Sequence, residues 1–204
     1  MTLTDFILNL SSSSPTPGGG GAAALVGAIG MACGHMTASL TIGKKKYADL
    51  QPRVEAFCRE AAQLETALLE AIREDADCFA PLAAAYRIPK EDPARGERLE
   101  AATLGACAAP EHIMALCCRG IDLTEEIASC CSRLALSDAG CAAAMLRAAL
   151  ESAALNLFIN TAALQDRAAA EAKNRCAADL LREYGEKADR GYRTVRACYF
   201  TEEL

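Results

Sequence analysis

Apolar residues recur at intervals of three and four along much of the chain, a spacing that places them on one side of an α-helix. The longest such stretch is 50–87. Its apolar positions are Leu50, Val54, Phe57, Ala61, Leu64, Leu68, Ile72, Phe79, Leu82 and Tyr86. Pro89 closes the stretch, and Pro81 should bend it, because proline has no N–H to bond to the carbonyl of Asp77. The pattern predicts one long, kinked helix.

Helical spacing also covers most of the remaining chain. Further helices are predicted over 4–10, 22–41, 93–108, 110–134, 137–165 and 167–199, with the segment 110–134 broken into a pair near Gly120. No alternating pattern typical of strands is present, and no internal repeat. The sequence therefore predicts an all-α fold, a single domain over 1–204 built as a bundle of about six to eight helices.

Composition supports helices and argues against one class of partner. Hydrophobic residues make up 52% of the chain and aromatic residues only 5%. Alanine and leucine supply most of the apolar content, and both favour helices over strands. The formal net charge of −6 argues against binding to nucleic acid, which requires a basic surface.

The cysteines point to a reducing compartment. There are 11 of them, an odd number, and residues 1–10 lack the basic and apolar regions of a secretory signal. We therefore expect a cytoplasmic protein in which most cysteines serve as small buried apolar residues. No C-x-x-C spacing occurs, and His35 and His112 lie in no metal-binding motif, so no metal site is expected.

The segment 22–42 contains no Asp, Glu, Lys or Arg and is long enough to span a bilayer. It includes the G-x-x-x-G pair Gly30 and Gly34, a motif of closely packed helices. Alanine, glycine, serine and threonine dilute its hydrophobicity, however, and His35 lies near its middle. We interpret it as a buried helix whose small residues let another backbone approach, as at a dimer interface, and expect no membrane association.

Asp75 is the most informative single residue. It lies three residues after Ile72 and four before Phe79, which places its carboxylate on the apolar stripe of the long helix. A carboxylate directed at the core is costly unless it is paired or hydrogen-bonded. The pattern leaves two alternatives open: a structural ion-pair partner or a residue of a functional site.

Three other patterns have both a structural and a functional interpretation. The run Pro15-Thr16-Pro17-Gly18-Gly19-Gly20-Gly21 is either a flexible linker or a loop that lets a ligand approach the backbone. The run Lys44-Lys45-Lys46 is either solvated surface or a site for an anionic group. Ser137 and Asp138 suit a helix N-cap. Asn156 and Asn160 share one face of an apolar helix and need hydrogen-bond partners there.

Taken in order, these segments resemble one enzyme family. The matching segments are 6–10 with 14–20, Leu40-Thr41-Ile42-Gly43-Lys44-Lys45-Lys46-Tyr47, Asp75 with Phe79 and Pro89-Lys90, and Ser137-Asp138-x-Gly140 with Asn156-x-x-x-Asn160. The chain resembles the formiminotetrahydrofolate cyclodeaminase / methenyltetrahydrofolate cyclohydrolase family over about 5–166. It departs from the pattern at Gly21, where serine is expected, and at Ser39, where asparagine is expected.

The resemblance implies an all-helical homodimer that acts on the carbon bridging N5 and N10 of tetrahydrofolate. It implies that Asp75 stabilises the cationic carbon centre and moves a proton, with Asp138 as a second catalytic or a pterin-binding carboxylate. The remaining substrate-binding residues it implies are Pro17, Gly18, Gly19, Gly20, Lys44, Lys45, Ser137, Asn156 and Asn160. Among these, Lys44 and Lys45 would hold the glutamate tail.

The two asparagines would bind the pterin or orient Asp138. No metal and no cofactor beyond the tetrahydrofolate substrate is expected.

The exact reaction is left open by the sequence. A cyclohydrolase is favoured over an ammonia-releasing cyclodeaminase, because the chain carries no formiminotransferase segment. A third alternative is a folate-binding homologue without activity, to which only Gly21 and Ser39 point.

Overall fold

The computed structural model describes residues 2–200 and contains no β-strand among them. Its α-helices are α1 (Leu3–Leu10), α2 (Gly19–Ser39), α3 (Gln51–Tyr86), α4 (Arg95–Ala106), α5 (Ala108–Cys130), α6 (Leu136–Ala163) and α7 (Arg167–Ala197). Short 3-10 helices cover Lys45–Leu50 and Arg133–Ala135. The all-α prediction is confirmed, and the predicted helix ends lie within a few residues of the observed ones.

The long helix α3 is continuous over 36 residues and passes through Pro81 without a break. Its predicted stripe faces the core along most of its length, with Val54, Phe57 and Leu68 almost fully buried. Periodicity alone therefore identified both the helix and its inward side. The bend at Pro81 stays a prediction.

Helix α2 packs against α3, α5 and α6. It runs antiparallel to α6, because Gly19 at its start lies against Asn156 and Gly34 near its end lies against Ala142. Helix α6 also packs on α5 and α7. This arrangement fixes which ends of the helices meet at a common site.

The glycines of α2 allow close approach inside one chain. A Cβ added at Gly30 would lie 3.2 Å from the backbone N of Leu146, and one at Gly27 would lie 3.1 Å from Leu68. The expectation that small residues let another backbone approach is thus met by α6 of the same chain. Gly27 and Gly30 are thus used for packing inside one chain, and the dimer interface stays a prediction.

The predicted helix break near Gly120 is wrong. Helix α5 is continuous from Ala108 to Cys130, and Gly120 is buried within it. A Cβ at this position would come within 2.8 Å of Leu146 Cδ2 on α6. The glycine therefore marks a close contact between two helices and not the end of one.

The cysteines are free and unevenly buried. Four are buried, namely Cys107, Cys117, Cys118 and Cys131, and burial raises the pKa of Cys117 and of Cys118 to about 12. Three others, Cys141, Cys176 and Cys198, are exposed on α6 and α7 or just after α7. The prediction that most cysteines are buried is wrong, since several fall on outward helix faces.

Three segments are long and apolar enough to cross a membrane, judged by length and composition: Gly19–Ser39, Arg95–Cys130 and Arg133–Ala163. About half of the most apolar part of each is buried inside the fold. Their apolar residues thus serve a shared protein core, and the absence of membrane association stays a prediction.

Candidate active site

Asp75 lies against the first turn of α2. Its Oδ2 accepts a hydrogen bond of 2.9 Å from the backbone N–H of Gly21, across 54 residues of sequence. Burial raises the pKa of this carboxyl, and the Gly21 N–H partly offsets that effect. No Lys, Arg or His within residues 2–200 forms an ion pair with Asp75. Among the described residues, Asp75 is therefore not a structural ion-pair partner.

A pocket of about 150 Å³ opens beside this carboxylate. Its walls are Pro15, Thr16, Gly18, Gly19, Gly20, Asp75, Phe79, Ala106, Pro110, Asn156, Ile159 and Asn160. Asp75 is the one titratable side chain among these lining residues, and Phe79 and Ile159 supply the large apolar surfaces. The predicted glycine run, Asp75 and both asparagines thus converge, while Pro17 is not part of the lining.

Each of the two pocket asparagines donates one amide N–H to a backbone carbonyl. Asn160 Nδ2 donates to the carbonyl of Ala106 at 2.9 Å, and Asn156 Nδ2 donates to the carbonyl of Ser152 at 2.8 Å. Within the described chain no donor bonds to either amide oxygen. Asp75 and these oxygens supply acceptors to the pocket, and the first turn of α2, which also lines it, supplies the backbone N–H groups of Gly19 and Gly20.

The other predicted site residues form a second group near the end of α2 and the start of α6. Lys44 Nζ donates to Ser132 Oγ at 2.8 Å, and Lys45 beside it is exposed. Ser137 and Asp138 lie in the first turn of α6, whose N-cap is Ala135. The N-cap interpretation of Ser137 and Asp138 is therefore wrong, although an acidic residue in a first helical turn is favourable.

The two groups lie far apart within one chain. Helix α2 separates the glycine run from the lysines by 21 residues, or about 30 Å of helix. On α6, Asp138 precedes Asn156 by 18 residues, or about 27 Å. The suggestion that Asn156 orients Asp138 is thus wrong for a single chain. Lys44, Lys45, Ser137 and Asp138 do not reach the pocket that contains Asp75.

Several lining residues had no role in the sequence prediction. Ile159 lies three positions after Asn156, so helical spacing from that residue could have found it. Phe79 follows Asp75 by one turn in the same way. Ala106 and Pro110 come from other helices, and no local pattern marks them. Within residues 2–200 no three His, Cys, Asp or Glu side chains are grouped closely enough to hold a metal ion.

Comparisons with known proteins identify the family of the chain. The family model described as formiminotransferase-cyclodeaminase matches residues 2–179. A methenyltetrahydrofolate cyclohydrolase of Methylorubrum extorquens is 38% identical over 200 residues, covering 96% of each chain. A formimidoyltransferase-cyclodeaminase of Rattus norvegicus is 29% identical over 190 residues, and the match spans 89% of this chain but 34% of the rat protein.

The fold has a close counterpart among solved structures. A crystal structure of formiminotetrahydrofolate cyclodeaminase from Thermotoga maritima superposes with a TM-score of 0.82, covering 96% of this chain and 94% of that one at 23% identity. The family-model match extends over most of the chain, from α1 into α7, and includes every residue of the pocket. The chain therefore belongs to the formiminotransferase-cyclodeaminase family.

Proposed function

We propose that this protein is a methenyltetrahydrofolate cyclohydrolase. The structural observation that carries a reaction at the N5–N10 bridge carbon is the half-buried Asp75 carboxylate, held by the Gly21 N–H at the pocket. The relative named as a cyclohydrolase covers nearly the whole chain at 38% identity, which favours this reaction within the family. Asp75 is the one charged group in the lining, so a positive charge on the bound ring would lie beside a carboxylate, while the N–H groups in the first turn of α2 could bond to acceptor atoms of the same ring.

The proposed reaction is the hydrolysis of a cationic N–C–N unit. Water adds to the methenyl carbon, which becomes tetrahedral and loses its positive charge. One C–N bond then opens and leaves a formyl group on the other nitrogen, with one proton released overall. Asp75 stabilises the cation electrostatically and accepts a proton from the attacking water. Hydrolysis of this kind needs no redox cofactor.

The second candidate is formiminotetrahydrofolate cyclodeaminase. The family description and the similar fold from Thermotoga maritima favour it. In that reaction N10 attacks the formimino carbon and ammonia leaves, so the same carboxylate would face the same tetrahedral carbon. The geometry of Asp75 serves either reaction, and the choice rests on the 38% identical relative.

Two absorbance assays separate the candidates. One follows decay of the methenyl band from methenyltetrahydrofolate above the buffer rate, and the other follows its appearance from formiminotetrahydrofolate together with ammonia. Decay without ammonia-forming activity supports the cyclohydrolase, and appearance of the band with ammonia identifies the cyclodeaminase. Folded protein that binds folate but is silent in both assays would be the non-catalytic homologue.

We further propose that the active enzyme is a homodimer whose two chains share each site. The pocket of about 150 Å³ is smaller than the roughly 300–1,000 Å³ typical of sites for molecules of this size. It has room for one flat ring system, so the rest of a folate must extend beyond it. The lysines that suit a glutamate tail lie about 30 Å away in the same chain.

An uncharged surface connects the two groups. Helices α2 and α6 both pack on α5, so their sides directed away from α5 form one surface. We define the α2–α6 face by its exposed residues Ile29, Ala32, Met36, Cys141, Ala144, Ala148, Leu155 and Ile159. Leu155 and Ile159 are 68% and 70% exposed. A second copy covering this face would bury apolar side chains that otherwise contact water.

Antiparallel pairing of two α2–α6 faces would also complete the site. The face begins at the pocket, which Ile159 lines, and extends to Cys141 beside Asp138. A two-fold axis through its middle places the Lys44 end of one chain beside the Asp75 pocket of the other. Each site would then combine a carboxylate for the cationic ring with lysines for the anionic tail.

Mixed dimers test the shared site directly. Asp75→Asn chains and Lys44→Gln/Asp138→Asn chains are co-expressed with different tags, and the doubly tagged dimer is purified. If sites are shared, both parent proteins are inactive, and the mixed dimer regains about half of wild-type activity because one of its two sites is intact. No gain in the mixed dimer, or full activity of the Lys44→Gln/Asp138→Asn parent, would show that each chain has its own site.

The interface has its own test. Leu155→Glu should convert the dimer to monomers in light-scattering measurements and abolish turnover, because a charge is placed in the buried surface. Leu69→Glu on α3, which replaces another leucine that is 54% exposed, is the matched control. Recovery of wild-type protein only with detergent would instead assign the face to lipid. We propose a cytoplasmic location, which the free cysteines among the described residues favour.

A further inference from the structure

The Asp75 carboxylate rests directly on the backbone of Gly20. A Cβ built at Gly20 would lie 2.0 Å from Asp75 Oδ1 and 2.5 Å from its Cγ. Real Cβ atoms do not approach other heavy atoms this closely, so any side chain at position 20 must displace the carboxylate. The Asp75 side chain extends from the middle of a packed helix, so its carboxylate is its only part free to move.

The four glycines Gly18 to Gly21 differ in how much space a side chain would have. A Cβ at Gly18 would meet only the carbonyl of Pro15 at 3.9 Å, and one at Gly19 would touch the Asn156 amide at 3.0 Å. A Cβ at Gly21 has ordinary contacts, 3.5 Å to Pro17 and 3.8 Å to Asp75 Oδ2. A side chain at position 20 would thus require the Asp75 carboxylate to move, while position 21 has room for one.

We propose that positions 20 and 21 are positioning residues for Asp75: glycine at 20 provides the surface on which the carboxylate lies, and the residue at 21 sets how many hydrogen bonds Oδ2 accepts. This inference rests on the proposed catalytic role of Asp75. It gives Gly20 the role of positioning Asp75, whereas the resemblance implied contact with the substrate. It also makes position 21 a place where a hydroxyl side chain would change the hydrogen bonds of the carboxylate.

A hydroxyl at position 21 would reach the carboxylate. The Cβ would lie 3.8 Å from Oδ2, so a serine Oγ bonded to that Cβ can come within hydrogen-bonding distance. The present carboxylate accepts one backbone N–H, and burial raises its pKa. A second donor stabilises the ionised form and therefore lowers the pKa.

Few other charges face Asp75. The pocket walls from α2, α4, α5 and α6 contribute no titratable side chain. On α3 itself, burial raises the pKa of the Cys78 thiol, and the nearby carboxylates of Glu74 and Asp75 raise it further. Glu74 points to α5, where it bonds to His112 Nδ1 at 2.7 Å. The hydrogen bonds at position 21 therefore act on a carboxylate with no charged partner.

The role of Gly20 in positioning Asp75 is tested with Gly20→Ala, and Gly96→Ala is the control. Both glycines are the second residue of an α-helix, and nothing lies within 4 Å of a Cβ at Gly96. Gly20→Ala should lower kcat by about a hundredfold, because a displacement of about 1 Å at a reacting group has this effect. Gly96→Ala should leave kcat unchanged. Wild-type kcat in Gly20→Ala would overturn the inference.

A double-mutant cycle on melting temperature tests the contact between Gly20 and Asp75 without measuring activity. Gly20→Ala should lower the melting temperature in the wild-type background and should have no such effect in an Asp75→Ala background, where the carboxylate is gone. Equal losses in both backgrounds would show that the alanine clashes with something else. This result stands even if the protein catalyses neither proposed reaction.

Position 21 is tested by the pH profile. Gly21→Ser should move the acidic limb of kcat/KM, and the Asp75 carboxyl-carbon NMR titration, to lower pH. Gly21→Ala adds the same Cβ without the hydroxyl and should leave the titration in place. Equal shifts in both variants, or none in Gly21→Ser, would refute the role of position 21. The NMR titration reports on it even if turnover is absent.

Discussion

Asn160 on α6 donates a hydrogen bond of 2.9 Å from Nδ2 to the backbone carbonyl of Ala106, the last residue of α4. Carbonyls at a helix end have no partner within the helix, so this side chain satisfies one of them and ties α4 to α6. Both residues line the pocket. The same amide thus closes one wall of the site and leaves its oxygen for a ligand.

Replacing Asn160 should therefore affect stability as well as binding. Asn160→Leu leaves the Ala106 carbonyl unpaired, which we expect to reduce the free energy of unfolding by about 1–3 kcal/mol. Asn156→Leu is the matched variant, because the Ser152 carbonyl it loses lies within α6 and keeps its helical partner. Urea unfolding of both proteins measures the difference. Equal losses would contradict this assignment.

Asp75→Asn should reduce kcat by at least a factor of about one hundred, the lower range for loss of a group that transfers protons. The fold should persist, since no ion pair is broken within the described residues. Asp77→Asn changes an exposed carboxylate one half-turn away and should retain full turnover. Turnover in the assay for the methenyl band provides the measurement. Full activity in Asp75→Asn would remove the residue from the mechanism.

Stability should depend on pH through Asp75. Because burial raises the pKa of this carboxyl in the folded state above its ordinary value of 3.8, the folded protein binds the proton more tightly than the unfolded chain. Stability is then lost as pH rises through the raised pKa. Relative to wild type, Asp75→Asn should therefore gain in melting temperature as pH rises from the ordinary pKa of 3.8 through the raised pKa of the folded state.

Calorimetry across that range measures the trend, with Asp77→Asn as the reference. A melting-temperature difference that stays constant with pH would mean that the folded and unfolded states hold the proton equally.

Gly120→Ala should destabilise the contact between α5 and α6. Its Cβ would lie 2.8 Å from Leu146 Cδ2 in a fully packed region, and such overpacking costs about 1–3 kcal/mol. Gly105→Ala adds a Cβ that meets nothing within 4 Å and should stabilise α4 by up to about 1 kcal/mol. Opposite signs in denaturant unfolding are expected. A stabilising Gly120→Ala would mean that Leu146 moves aside freely.

The sequence was sufficient for features governed by local periodicity. The stripe from Val54 to Leu82 predicted α3 and its buried side, and the same spacing singled out Asp75. The length of the helix after the glycine run also implied that Gly18 and Lys44 lie at opposite ends of it. The predicted site joins residues that α2 separates by about 30 Å, and the sequence alone left open whether a second chain brings them together.

Other features depend on which helices meet, and no local pattern reports that. Ala106 and Pro110 line the pocket because α4 and α5 pack against α3, whose C-terminal third contributes Asp75 and Phe79. Gly120 follows the ordinary rule for a helix break, yet the contact with Leu146 decides its role. The use of Gly30 within one chain, and not between two, likewise depends on the antiparallel placement of α6.

The hydrogen bond from Gly21 to Asp75 links the end of a helix to the chemistry of the pocket. Three consecutive glycines form the first turn of α2, and glycine has little intrinsic tendency to remain helical. An ionised Asp75 holds this turn in place, so protonation of the carboxylate should let it fray. Exchange of the Gly21 amide with deuterium would then accelerate as Asp75 takes up a proton, and this one amide would report each change of state at the carboxylate.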